Sequence, residues 1–262
     1  MSQSGSIVEY EGKRLFVFGI AEIPGVLSEY PVTFYTGINL DTGKVDDIRS
    51  RYVDTVPFHE LTEHQQVNVS RYVRVYHKLK KNVVAISAKA RSGKDELARC
   101  LCQNYHNVGV IALGDAIKDV RKLLFGETEK KDRHQLIMIG QGLRREDPNI
   151  WNKVWLTRAI KTMLDNALEK VVCTDVRQPS EHTFFKSLGA LSIKIEADEE
   201  ARLNVIRLLD GDDALDEKLL NDETEMNVEN FETDIILFND YGKGFYDAIR
   251  TEVLPVLSER GW

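Results

Sequence analysis

The chain has 262 residues, 42% of them hydrophobic and 29% charged, the balance of an ordinary globular protein with enough length to bury one large core or two small ones. A formal net charge of -7 argues against broad electrostatic attraction to nucleic acid or to anionic membranes. No apolar run approaches the roughly 20 residues that span a bilayer, and the opening MSQSGSIVEYEGKR lacks the basic-then-apolar order of a signal peptide. The odd, sparse cysteine set (Cys100, Cys102, Cys173) then fits reduced thiols in a cytoplasmic compartment.

Residues 1 to about 80 read as a small α+β unit. KRLFVFGIAEI and PVTFYTGINL are rich in β-branched and aromatic residues, and a turn at Asp41-Thr42-Gly43-Lys44 follows, so a short antiparallel arrangement is expected. In TEHQQVNVSRYVRVYHKLKK, Thr62 and Gln65 stand at capping-box spacing. Val67, Val69, Tyr72, Val73 and Tyr76 outline an apolar helical face, and the basic run His77 to Lys81 suits a helix C-terminus.

Beyond Lys81 strand and helix alternate. VVAIS, VGVIAL, KVVCTDV, ALSIKIEA and TDIILFN are five strand signals. Between them lie helical stretches at DELARCLCQNYH, DAIKDVRKLLFG, HQLIMIGQGLRRE, NIWNKVWLTRAIKTMLDNALEK, HTFFKSLG and EEARLNVIRLL, and GFYDAIRTEVLPVLSER closes the chain as one more helix. This alternation predicts an α/β domain over 81–262 with a parallel five-stranded sheet covered on both faces. Trp151 and Trp155, four apart, read as core packing on one helix face. Residues 210–230 are acidic and polar and read as a mobile loop or lid edge.

The chemistry concentrates at SAKARSGKDELA, Ser87 to Ala98. It follows a buried strand and opens a helix, where free backbone N–H groups and the helix dipole hold phosphates. Against the phosphate-loop pattern G-x-x-x-x-G-K-[ST], Ala88 replaces the first glycine and Asp95 the hydroxyl residue. Gly93 keeps the backbone free just before Lys94, whose ammonium reaches phosphates. Asp95 can serve magnesium with a carboxylate instead of a hydroxyl.

Lys89 to Asp95, K-A-R-S-G-K-D, resembles the loop of the bacteriophage deoxynucleoside monophosphate kinases, P-loop kinases of the adenylate-kinase type in which a GKD ending is characteristic. IALGDAIKDVRKLLFG, QLIMIGQGLRREDPNIW, VVCTDVRQPSEHTFFKSLGALSIKIEAD and TEMNVENFETDIILFND resemble later blocks of that family, with order and spacing both held in the DVR-x-x-x-E block and the late Asp-to-Asn segment, and the likeness covers about 82–260. Gly114 and Gln178 depart from it, where the family tends to have Ala and Phe.

The resemblance implies a P-loop kinase fold that moves the γ-phosphate of ATP, with Mg2+, to a deoxynucleoside monophosphate. Lys89, Ala90, Arg91, Ser92, Gly93 and Lys94 would hold the donor, with Asn239 at the adenine, and Asp95 and Asp175 would serve the metal. Arg144 and Arg177 would take the acceptor phosphate, with Asp115 and Gln141 near its sugar or base. Of Arg202 and Arg207, five apart, only one would reach the transferring group as a lid arginine. For Asp175 a helix cap or turn is the competing reading. Another small-molecule kinase (phosphomevalonate or dephospho-coenzyme A kinase-like) and a non-catalytic nucleotide-binding regulator both stay open. No nucleic-acid or membrane partner is expected. For residues 1–80, self-association as a homodimer, a partner contact and a cover over the active site stay open alike.

Overall fold

A computed structural model describes residues 6–23, 32–43, 45–50, 52–127, 133–215, 220 and 223–262. The chain divides into two compact units, Met1–Tyr76 and His77–Trp262. No helix among the described residues is long and apolar enough to cross a membrane.

In the first unit, β1 (Ile7–Tyr10), β2 (Lys13–Ile23), β3 (Val32–Asn39), β4 (Val45–Arg49) and β5 (Asp54–Thr55) form an antiparallel sheet in the order β4-β3-β2-β1-β5. The hairpin between β1 and β2 turns on Glu11 and Gly12, both left-handed (φ 51° and 77°), the two-residue geometry that matches strand twist. The expected turn after β3 is held by Asn39, whose side-chain oxygen accepts from the Asp41 and Thr42 amides at 3.0 and 3.1 Å. Lys44 of that turn lies outside the described residues.

Helix α1 (Glu63–Leu79) opens on the capping box read from the sequence. The Gln65 amide donates to Thr62 Oγ1, and the Thr62 amide to Gln65 Oε1, each at 3.3 Å. Its inward face differs from the expected one. Gln65 and Val69 are buried and Val73 packs beside them, four residues apart in succession, whereas Val67 is 59% exposed. Gln65 goes inside because its amide nitrogen reaches Asp41 at 2.6 Å and its oxygen accepts from Arg14 at 3.2 Å; that orientation turns Val67 outward.

The second unit carries a five-stranded sheet, parallel throughout, from β6 (Val83–Ala88), β7 (Val108–Val110), β8 (Lys170–Cys173), β9 (Leu191–Ala197) and β10 (Ile235–Asn239) in the order β10-β9-β6-β8-β7. Its helices are α2 (Lys94–Asn104), α3 (Leu113–Phe125), α4 (Arg133–Glu146), α5 (Ile150–Asp165), α6 (Pro179–Ser187) and α7 (Glu199–Asp210). A short turn α8 (Glu223–Met226) runs into a 3-10 turn, Asn227–Asn230, and α9 (Lys243–Ala248) and α10 (Leu254–Glu259) close the chain. This is the expected α/β architecture, a parallel sheet flanked by helices.

Every residue of β6 is buried, as a central strand covered on both faces requires. Val84, Ile86 and Ala88 pack in one core with Leu97 and Leu101 of α2 and with Phe245, Ile249, Val253 and Leu257 near the C-terminus. Trp151 and Trp155 are buried as read, their indole N–H groups donating to the Gly140 and Ile111 carbonyls at 3.0 and 2.7 Å. The closing segment is not one regular helix: Ile249–Val253 widens to a π turn just before Pro255, which has no N–H to continue the α ladder. The chain leaves β6 for β7 at one edge, returns through β8 to the slot beside β6, and then crosses to β9 on the other side. Such a reversal opens a crevice beyond the carboxyl ends of the strands, where open α/β sheets bind ligands.

Candidate phosphate-binding cleft

The loop Lys89–Gly93 joins the end of β6 to the start of α2 at that crevice. It turns sharply, with the Ser92 amide on the Lys89 carbonyl at 3.2 Å and left-handed residues at Arg91 (φ 64°) and Gly93 (φ 105°). Gly93 is required twice over: its φ disfavours any side chain, and a Cβ there would lie 2.4 Å from Asn239 Nδ2.

Three consecutive loop carbonyls are fastened from behind. Ala90 accepts from Arg202 Nη1 at 3.1 Å, Arg91 from the Tyr241 hydroxyl at 3.1 Å, and Ser92 from Asn239 Nδ2 at 3.0 Å. Because C=O and the following N–H point oppositely across a trans peptide, these bonds aim the Arg91 and Gly93 amides away from the braces. The Ala90 amide already holds an anion: it donates to Glu225 Oε2 at 2.8 Å. Each cation of the loop and of the first helical residue has an acidic partner. Lys89 pairs with Glu229 at 2.5 Å, Arg91 forks onto Asp210 at 2.5 and 3.0 Å, and Lys94 reaches both oxygens of Asp95 at 2.6 and 2.7 Å. Hydrogen bonding to Asp210 holds the Arg91 guanidinium above its ordinary value.

Beside the loop lies a cleft of about 410 Å3. It brings together Ala90, Lys94 and Asp95 from the loop and α2, Asp115 from α3, Gln141 and Arg144 from α4, and Asp175 and Arg177 from the connection after β8. Ser92, Gly93 and Asn239 do not line it. Asn239 is buried at 4% exposure, with its oxygen taken by the Tyr241 amide at 2.8 Å, so it braces the loop where an adenine contact was expected. Arg202 is 2% exposed and forks onto Glu199 at 2.6 and 3.0 Å while holding Ala90. It is a fixed strut of the loop rather than a lid arm, and Arg207 turns away to Asp212 and Asn204.

Asp175 has a structural task besides the metal role expected. Its two oxygens accept from the Leu113 and Gly114 amides at 2.6 and 2.7 Å, capping α3 at the cleft wall. A Cβ on Gly114 would come within 2.8 Å of Asp175 Oδ2, which accounts for glycine at that departure from the resembled family. Gln178, the other departure, is buried and forms the capping box of α6 with Glu181, and its oxygen accepts from Asn227 at 3.2 Å.

The two arginines are aimed by carboxylates that sequence reasoning had given no role. Arg144 Nη2 lies 2.5 Å from Glu181 Oε1, and Glu181 Oε2 accepts the Arg177 and Gln178 amides at 2.9 and 3.0 Å. Glu181 is 2% exposed, and burial pushes its carboxyl up against the opposing pull of Arg144. Arg144 Nε is buried without a partner among the described residues. Arg177 Nη1 pairs with Glu225, the carboxylate that also holds the loop amide. For Glu181 the spacing DVR-x-x-x-E carried a signal. For Glu225 the resembled block TEMNVENF also places a glutamate there, without saying what it meets. For Glu229 none was available, because it meets the loop across more than a hundred residues of sequence. A second cavity of about 420 Å3, lined by Lys89, Ser92, Lys194 and Arg202, adjoins the loop.

No family model and no curated protein matches the chain. Among solved structures it is similar to a tunicamycin resistance protein from Deinococcus radiodurans (16% identity, TM-score 0.44, 67% of this chain and 95% of that one). It is also similar to shikimate kinase from Aquifex aeolicus (15%, 0.37, 68% and 98%) and to TT1252 from Thermus thermophilus (18%, 0.38, 68% and 97%). Likeness at this level identifies neither a family nor a substrate.

Proposed function

We propose that the second unit is an ATP-dependent kinase that transfers the γ-phosphate to a deoxynucleoside monophosphate, giving the diphosphate. The observation that carries this reading is one cleft shared by an anion-holding loop amide, Lys94, Arg144 and Arg177. Phosphoryl transfer is mainly positioning and charge neutralisation, so it needs donor and acceptor phosphates side by side among cations and amides. The loop amides and Lys94 hold the donor. Arg144 and Arg177 bind the acceptor phosphate through planar forks suited to its oxygens, and Asp115 and Gln141 meet the sugar or base. The acceptor class rests on the resemblance of 82–260 to the phage kinases.

The residues present fit magnesium. Asp95 is 74% exposed with Lys94 on both oxygens, and Asp175 has one amide on each oxygen, so each carboxylate keeps lone pairs that would serve the metal directly or through its water. The metal would neutralise phosphate charge. The test is ADP release from ATP and Mg2+ with dAMP, dGMP, dCMP and dTMP in turn, beside Lys94→Ala. Turnover that needs one of these acceptors and falls by about 10²–10³ in the variant is expected, the range for removing one donor that stabilises developing charge. ATP binding without turnover on any of the four would overturn the acceptor assignment.

A further inference from the structure

Glu225 touches both halves of the cleft. Its Oε2 accepts the Ala90 amide at 2.8 Å, and its Oε1 pairs with Arg177 Nη1. The carboxylate is buried, at 6% exposure. It is carried on α8, a single turn held down by neighbouring bonds: Glu229 to Lys89, the Glu229 carbonyl to Lys194 at 3.3 Å, and Asn227 to Gln178.

A carboxylate accepting a loop amide on one oxygen and a guanidinium on the other does what a phosphate group does there. A phosphate oxygen within hydrogen-bond reach of the Ala90 amide would claim the space of Glu225 Oε2, and two anions do not share one donor pair without strong repulsion. The charge balance points the same way. Four cationic side chains and five carboxylates line the cleft, Glu225 among the latter, so with it in place the lining is net negative, an unfavourable balance for an incoming polyanion.

We propose that Glu225 is an internal competitor for phosphate: it occupies the loop amide and Arg177 until an external polyphosphate displaces it, and α8 then leaves the loop. Because one carboxylate holds a donor-side amide and an acceptor-side arginine, donor binding also frees Arg177 for the second substrate. This rests on reading Ala90 and Arg177 as phosphate ligands, and it holds for any acceptor.

The probe is inorganic tripolyphosphate, titrated into the full chain by calorimetry for the wild type, Glu225→Gln and Glu225→Ala. Removing the competitor is expected to tighten binding by about tenfold or more, the equivalent of one charge-assisted hydrogen bond. Hydrogen exchange on the wild type supplies a readout free of any folding defect: amides of 223–230 should exchange faster once tripolyphosphate saturates the protein. Unchanged or weaker binding in both variants, or a segment equally or better protected when loaded, would overturn the proposal and leave the kinase reading standing. Failure of the wild type and both variants to bind tripolyphosphate would overturn both.

Discussion

Replacing Glu181 separates the proposed acceptor side of the cleft from the proposed donor side. Glu181→Ala removes the partner of Arg144 at 2.5 Å and the acceptor for two amides at 2.9 and 3.0 Å. Breaking a buried ion pair from one side costs roughly 3–5 kcal/mol. Arg144 lines the cleft and can turn its head toward water, which places its share near the lower end, about 3 kcal/mol. Loss of the cap on α6 adds about 1 kcal/mol, for a total near 4. Glu181→Gln keeps an oxygen for the amides and should cost about 1 kcal/mol less than the alanine variant. Urea unfolding at constant m-value reads these differences. In kinetics both variants should raise KM for the acceptor while leaving that for ATP within about twofold, because the loop and its braces are untouched. A cost below about 1 kcal/mol for Glu181→Ala, or an ATP defect as large as the acceptor defect, would refute the assignment of Glu181 as the residue that positions Arg144 and Arg177.

Gly114→Ala sets two effects against each other. Alanine is worth up to about 1 kcal/mol over glycine in a helix, yet its Cβ would crowd Asp175 and disturb the cap, at a cost of about 1–3 kcal/mol. Net destabilisation is expected by thermal or urea unfolding, and a stabilised variant would show that the cap yields freely. Glu96 bonds Arg99 and Tyr246, which depress its carboxyl from the usual 4.5 to about 2. A depressed acid contributes stability that is fully present above 4.5 and is lost as pH falls through 2. Wild type and Glu96→Gln should therefore differ at neutral pH and converge toward pH 2, as followed by urea midpoints; parallel profiles would contradict the shift.

Much of the second unit was legible because its signals are local. A buried β-branched strand, a glycine before a lysine and an amphipathic helix lie within twenty-two residues at 83–104. Arg144 and Arg177 were found through a resemblance in spacing, and they do share the cleft. What escaped depends on partners far away in sequence. Asn239 and Arg202 were read as substrate contacts because nothing local shows that both hold carbonyls of 90–92. The acidic stretch 210–230 reads as a mobile loop or lid edge, yet Glu225 is buried in the cleft. In the first unit, β1 and β4 are four and five residues long and too short to show alternation, and the inward face of α1 follows Gln65, a polar residue that periodicity does not count.

The three braces behind the loop come from α7 and from the end of β10 and the turn after it, so the geometry of the proposed anion site is inherited from parts of the fold outside the loop itself. Leu237, buried in the middle of β10, is two residues from Asn239 and packs in the same core as α2. A cavity made there would loosen the anchor of Ser92 and blur the loop it steadies. Defects in phosphate affinity should thus surface among mutations of the hydrophobic interior, and a screen for binding would recover core positions alongside the residues that touch the anion.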